Sequence, residues 1–206
     1  MTGADPQAAD LPPHAPGQKI GLFGGSFDPP HEGHRLASLE AMERLGLDAV
    51  WWLVTPGNPL KDVSALPDLE SRVAAAGRFA GDPRIAVTGV ERQLGTRYTV
   101  DTVAALQALC PGVRFVLIVG ADVLAELSRW KDWDRLLHLV PVAVVDRPGF
   151  AEAALSGEAA EKFATVRLPE GEAASLAERT PPAWVFLAGA VSPLSSTALR
   201  RARGRG

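Results

Sequence analysis

The sequence holds a single cysteine, Cys110, among 206 residues, which rules out an intrachain disulfide and a cysteine-rich zinc site and suits a reducing compartment. At the end of a helical stretch, Cys110 reads as a small buried apolar side chain. Long apolar runs are also missing: stretches such as 139–145 are far too short to span a bilayer. No basic side chain precedes Lys19, and residues 1–18 carry no apolar run, so nothing there reads as a secretion signal. That stretch holds Gly3, Pro6, Pro12, Pro13, Pro16 and Gly17 and is expected to be a disordered N-terminal extension. The expected location is the cytoplasm. Excess positive charge is lacking as well. Four of the 21 basic residues (Arg200, Arg201, Arg203, Arg205) crowd the last seven positions, leaving 17 against 24 acidic side chains elsewhere. Such a body does not wrap nucleic acid.

What is present is a globular composition. Hydrophobic residues at 47% and charged residues at 22% exclude a disordered or collagen-like chain, and this length can bury a core without staples. From Lys19 onward, short apolar runs alternate with helical patterns. Strands are expected over 19–23, 49–54, 85–88, 114–119 and 142–145, with weaker ones over 165–168 and 184–187. Helices are expected from the first glycine-rich turn to Gly46, with Leu36, Leu39, Met42 and Leu45 on one face, and over 68–79 and 99–109. Short helical pieces follow over 122–127 and 133–137, then a helix over 151–163 and a last one opening near 195–197. No repeat or linker divides the chain, so 19–203 is read as one domain. This alternation predicts an α/β fold: a doubly wound, mostly parallel sheet with helices on both faces. Ligands of such sheets sit beyond the carboxyl ends of the strands at the switch point.

The turn after the first strand therefore matters most. Gly24 and Gly25 let backbone N–H groups approach phosphate oxygens, and the helix that follows points its positive end at the same place. A tight strand-to-helix turn would explain the glycines, but not His31 and His34 at its mouth. The spacing fits neither a dinucleotide fingerprint nor a Walker loop. The histidines stand three positions apart with Gly33 between them, unlike a zinc-protease pair, and no metal site is expected from them. Two imidazoles facing an anion-binding loop can donate hydrogen bonds to phosphate oxygens as charge builds.

Pro30-His31-Glu32-Gly33-His34 contains a His-x-Gly-His signature, and Ser195-Ser196-Thr197-Ala198-Leu199-Arg200 a Ser-Ser-Thr-x-x-Arg run. In this order the two resemble the nucleotidylyltransferase superfamily, whose fold is Rossmann-like. Three further segments resemble its bacterial nicotinate-nucleotide adenylyltransferases: Tyr98-Thr99-Val100-Asp101-Thr102; Gly120-Ala121-Asp122 with Trp130 and Trp133 downstream; and Arg147-Pro148-Gly149. The chain departs from the usual pattern at Leu60, where a His commonly precedes Lys61, and at Thr96-Arg97.

The resemblance implies an enzyme that joins ATP and nicotinate mononucleotide into nicotinate adenine dinucleotide and pyrophosphate, a step of NAD biosynthesis, with Mg²⁺ accompanying ATP. It implies catalytic roles for His31, His34 and Arg200. It implies ATP contacts from Gly24, Gly25, Ser26, Phe27, Lys61, Gly120, Asp122, Ser196 and Thr197. Nicotinate mononucleotide contacts would come from Tyr98, Thr99 (otherwise an ordinary helix cap), Trp130 and Arg147. Trp133, followed by Leu136 and Leu137, reads as core. The implied partners are the two small substrates, without nucleic acid or membrane, and with a homo-oligomer left open. Competing readings are another acceptor (nicotinamide mononucleotide, or phosphopantetheine) and a module that senses ATP without turnover.

Overall fold

The computed structural model describes residues 10–57, 66–189, Leu194 and Leu199. Its elements run in the order β1 (Lys19–Gly25), α1 (Glu32–Leu45), β2 (Ala49–Val54), α2 (Leu69–Ala80), β3 (Ile85–Thr88), α3 (Val90–Leu94), α4 (Thr99–Leu109), β4 (Arg114–Gly120), α5 (Ala121–Glu126), α6 (Trp133–Leu139), β5 (Val142–Val145), α7 (Ala151–Leu155), α8 (Glu158–Lys162), β6 (Arg167–Leu168) and β7 (Trp184–Leu187). The seven strands form one sheet in the order β3-β2-β1-β4-β5-β7-β6. Every neighbouring pair is parallel. The chain winds outward from β1 through β2 to β3, then returns to lay β4 on the other side of β1. Between the carboxyl ends of β1 and β4 lies the switch point where such sheets open a crevice.

Successive strand residues face opposite sides of a sheet, and the paired tryptophans of β2 show it. Trp51 joins a core with Ile20, Leu22, Leu117 and the helical residues Val103 and Leu106. Trp52 joins the core of the other face with Val50, Ile118, Met42 and Leu45. In β4 the run Phe115–Val119 is buried without a break, the signature of a strand covered on both faces. The α1 helix approaches the sheet through small residues: its buried stripe is Ala37, Ser38, Ala41, Met42 and Leu45. Leu36 and Leu39, expected to be inward, are half-buried, because the alanine ridge brings the helix close and rotates the longer side chains to its flanks.

Other departures have local causes. The expected helix over 151–163 breaks into α7 and α8 at Ser156-Gly157. Only Arg167–Leu168 pairs as a strand in the expected 165–168 segment. Short elements not expected from the sequence include α3 and a 3-10 segment at Glu170–Glu178 that covers one face. Residues 10–18, within the segment read as a disordered extension, lie against the sheet. Leu11 packs on the core, the His14 ring meets Trp51 edge-on at 5.7 Å, and the Gly17 amide donates to Gly112 O at 2.8 Å. Among the described residues, no helix is long and apolar enough to cross a membrane.

Trp52 also ties the sheet to α1. Its Nε1 donates to Ser38 Oγ at 2.7 Å, and Ser38 Oγ donates to His34 O at 2.9 Å. Trp52→Phe removes this buried donor and part of a packed ring, and should lower the unfolding free energy by about 2–4 kcal/mol. Urea unfolding reads the loss; an unchanged midpoint would contradict the packing described.

Candidate active site

The loop leaving β1 is built around Phe27, whose φ of 47° is unusual for a non-glycine residue. Its fully buried ring holds the conformation: it stacks on Trp52 at 4.9 Å between centroids and lies 4.6 Å from the His34 ring. The loop ends at His31, the N-cap of α1, in extended conformation. From there the His31 ring stacks on His34, with centroids 3.7 Å apart and planes 28° from parallel. Gly33 permits that stack, since a Cβ at this position would stand 2.9 Å from His31 Nδ1. The glycine of the His-x-Gly-His turn is thus a steric requirement of the stack.

The His31 amide donates to His34 Nδ1 at 3.2 Å. A nitrogen that accepts carries no proton, so neutral His34 keeps its hydrogen on Nε2 and can donate it. Both rings are held neutral. Burial, followed by the charges of His31 and Arg147, pushes His34 down to about 3. Burial and then Arg147 push His31 down to about 4.

Arg147, just past β5, fixes the far side. Its Nη1 donates to Asp122 Oδ2 at 2.5 Å, its Nη2 to Leu194 O at 2.5 Å, and its own amide to Asp146 Oδ1 at 2.6 Å. Gly120 makes room for this pair, because a Cβ there would fall 2.5 Å from Asp122 Oδ1. The structure therefore gathers the loops after β1, β4 and β5 around the switch point, as the sequence predicts for His31, His34, Gly120, Asp122 and Arg147. Gly24 and Gly25 end β1 in the same place, with Ser26 next to them.

A second cluster sits at the start of α4. Tyr98, and not Thr99, is the N-cap, with Thr99 the first helical residue. Lys131 Nζ lies 4.6 Å from the centre of the Tyr98 ring and 3.3 Å from Asp101 Oδ2. Trp130, the residue before Lys131, is partly buried and packs against the core. Trp133 packs against the same core, as expected. Lys61, Ser196, Thr197 and Arg200 lie outside the described residues.

Two buried charges escaped the sequence reading. Arg72 is 3% exposed on α2 and Glu91 9% exposed on α3. Glu91, its pKa raised by burial, accepts hydrogen bonds from the Thr55 and Thr102 side chains, joining the end of β2 to the first turn of α4. Both residues stand among charged neighbours on amphipathic helices, so nothing in their sequence context distinguishes them from surface positions.

This combination of a parallel sheet crossing at β1/β4, a glycine-rich loop and a neutral histidine pair beside the half-buried Arg147 is that of a nucleotidyl-transferring enzyme. A family model described as cytidylyltransferase-like matches residues 22–202. A Methylorubrum extorquens protein named "Probable nicotinate-nucleotide adenylyltransferase" is 56% identical over 88% of this chain and 98% of its own length. An Agrobacterium fabrum protein of the same name is 51% identical over 88% and 97%. In fold, the chain is similar to the Plasmodium falciparum nicotinic acid mononucleotide adenylyltransferase solved with NaAD, with a TM-score of 0.64 at 16% identity over 89% of this chain and 83% of that one. The chain belongs to the nicotinate-nucleotide adenylyltransferase family within the cytidylyltransferase-like class.

The depressed histidines make stability depend on pH. Their unfolded value is 6.5 and their folded values are about 4 and 3, so between these limits the unfolded chain binds more protons than the folded one. Their contribution is complete above 6.5 and is lost as pH falls through the folded values. Urea unfolding between about pH 4.5 and 7 should show stability rising with pH, and His34→Gln should flatten the slope. Equal slopes in the two proteins would contradict the assignment.

Proposed function

We propose that the chain transfers the adenylyl group of ATP to the 5′-phosphate of nicotinate mononucleotide, giving nicotinate adenine dinucleotide and pyrophosphate in NAD biosynthesis. The observation that carries this reading is the neutral, stacked histidine pair at the switch point, in a chain more than half identical to adenylyltransferases of that name. An oxygen of the acceptor phosphate attacks the α-phosphorus of ATP in line. The bond to the β-phosphate breaks, and its electron pair leaves on pyrophosphate. No group on the protein need bond covalently, so positioning and charge stabilisation do the catalysis.

In this reading His34 Nε2–H donates to a non-bridging α-phosphate oxygen, and the bond strengthens as that oxygen gains charge. A neutral donor suits the task, because it does not hold the ground-state phosphates as a fixed cation would. His31 supports it, and the amides of Gly24, Gly25, Ser26 and Phe27 receive phosphate oxygens. Gly120 and Asp122 line the nucleotide. Tyr98 and Thr99, at the N-terminus of α4, receive the nicotinate carboxylate, Trp130 stacks on the pyridine ring, and Arg147 faces the mononucleotide. Lys61, Ser196, Thr197 and Arg200 are assigned to the departing phosphates from their sequence motifs.

No group of three or more His, Cys, Asp or Glu arranged to hold a metal occurs among the described residues. Mg²⁺ is assigned to ATP itself, whose phosphate oxygens and water ligate it; it would neutralise phosphate charge. The setting proposed is the cytoplasm.

Pyrophosphate release from ATP and Mg²⁺, measured in parallel with nicotinate mononucleotide, nicotinamide mononucleotide and phosphopantetheine, tests the reading. Turnover should be strongest with the nicotinate form. His34→Ala should lower kcat by about 10²–10³ while leaving thermal unfolding nearly in place. Turnover with another acceptor alone would overturn the substrate, and unfolding of His34→Ala would overturn its catalytic role.

A further inference from the structure

Arg72 is a cation on the first turn of α2, 3% exposed, with its donors spread over backbone carbonyls. Its Nε donates to Pro67 O at 2.9 Å. Its Nη1 donates to Ser26 O at 2.9 Å and Thr55 O at 2.8 Å, and its Nη2 to Pro56 O at 3.3 Å. Burial lowers its pKa, with Asp28 opposing the shift, and a guanidinium nonetheless keeps its proton. A buried charge is a poor way to gain stability, since an apolar side chain of similar volume often packs as well or better. What the planar fork supplies is geometry: one rigid group meeting several chain segments at fixed angles.

The segments it meets are those that need holding. The Thr55 amide donates to Gly25 O at 2.9 Å, linking the end of β1 to the end of β2. One residue further, at Ser26, Arg72 takes over and bridges the loop to Thr55 and Pro56. Ser26 leads directly into Phe27, whose ring lies 4.6 Å from that of His34. Beside the loop is a cleft of about 460 Å³, lined among the described residues by Phe27, Asp28, Pro29, Pro30 and Arg72. The loop thus borders open space on that side, and hydrogen bonds set its position there.

We propose that Arg72 is a positioning residue for adenylyl transfer, which sets the place of His34 by fastening the Ser26–Phe27 turn to the end of β2. The proposal builds on the adenylyltransferase reading, and Arg72 itself touches no substrate. Its test uses Arg72→Lys, which keeps the charge but not the fork, and Arg72→Gln, which keeps part of the donor set without charge. Turnover and the NMR titration of the His34 ring are measured in the full chain, at a temperature where each variant is folded. We expect kcat to fall about tenfold or more in both variants, with KM for ATP changed less than about threefold, as misplacement of a catalytic group predicts. We also expect His34 to titrate higher than in the native chain as its surroundings loosen.

A kcat that falls only with the folded fraction, or an unmoved His34 titration, would overturn the proposal and leave Arg72 a structural residue. The native chain's turnover with nicotinate mononucleotide, read in the same assay, judges the activity separately. The ring titration decides on Arg72 even where that turnover is absent.

Discussion

A backbone amide donating to an imidazole nitrogen governs what this site can do. Because the His31 N–H points at His34 Nδ1, the only hydrogen neutral His34 offers is on Nε2. Because the ring is packed among Phe23, Phe27 and Trp52 and lies near Arg147, protonation is pushed well below neutral pH. One bond selects the tautomer, and the packing selects the charge state. The result is a neutral donor held in place before any substrate arrives, the arrangement that stabilises developing charge without reorganising.

The rest of the fold maintains that bond. The helix α1 carries His34 and is capped by His31, and its alanine ridge lets it lie close to the sheet. Ser38 links the His34 carbonyl to Trp52, so the first turn of α1 is tied to the middle of β2. The parallel order β2-β1-β4-β5 then brings the β4 and β5 loops alongside, where Arg147, paired with Asp122, adds its charge to the burial that keeps the histidines neutral. Gly33 and Gly120 serve this assembly in one way: each removes a Cβ that would collide with a functional side chain. Their role is close approach, and backbone flexibility is not needed to explain either.

Much of this could be read from the sequence because periodicity and motif spacing are local. The buried run of β4, the Gly46 that stops α1 and the His-x-Gly-His turn all announce themselves within a few residues. So does the order of strands and helices that makes a doubly wound sheet. What escaped depends on contacts between distant segments. Arg72 and Glu91 look like surface charges until the loops after β1 and β2 fold over them. Of the inward face expected for α1, Met42 and Leu45 are buried while Leu36 and Leu39 lie at its flanks, because close helix-to-sheet contact favours the smaller alanines. Residues 10–18 look like a tail by composition, yet a few contacts to Trp51 and Gly112 suffice to lay them on the sheet. The site's loops were legible one at a time; their meeting at one edge followed from the strand order.

The tautomer and charge of His34 are the centre of this account, and nitrogen-15 NMR of the histidine ring in the native chain at neutral pH observes both directly. The structure predicts a neutral ring with an unprotonated Nδ1 and the hydrogen on Nε2. An imidazolium at that pH, or a neutral ring carrying its hydrogen on Nδ1, would contradict it.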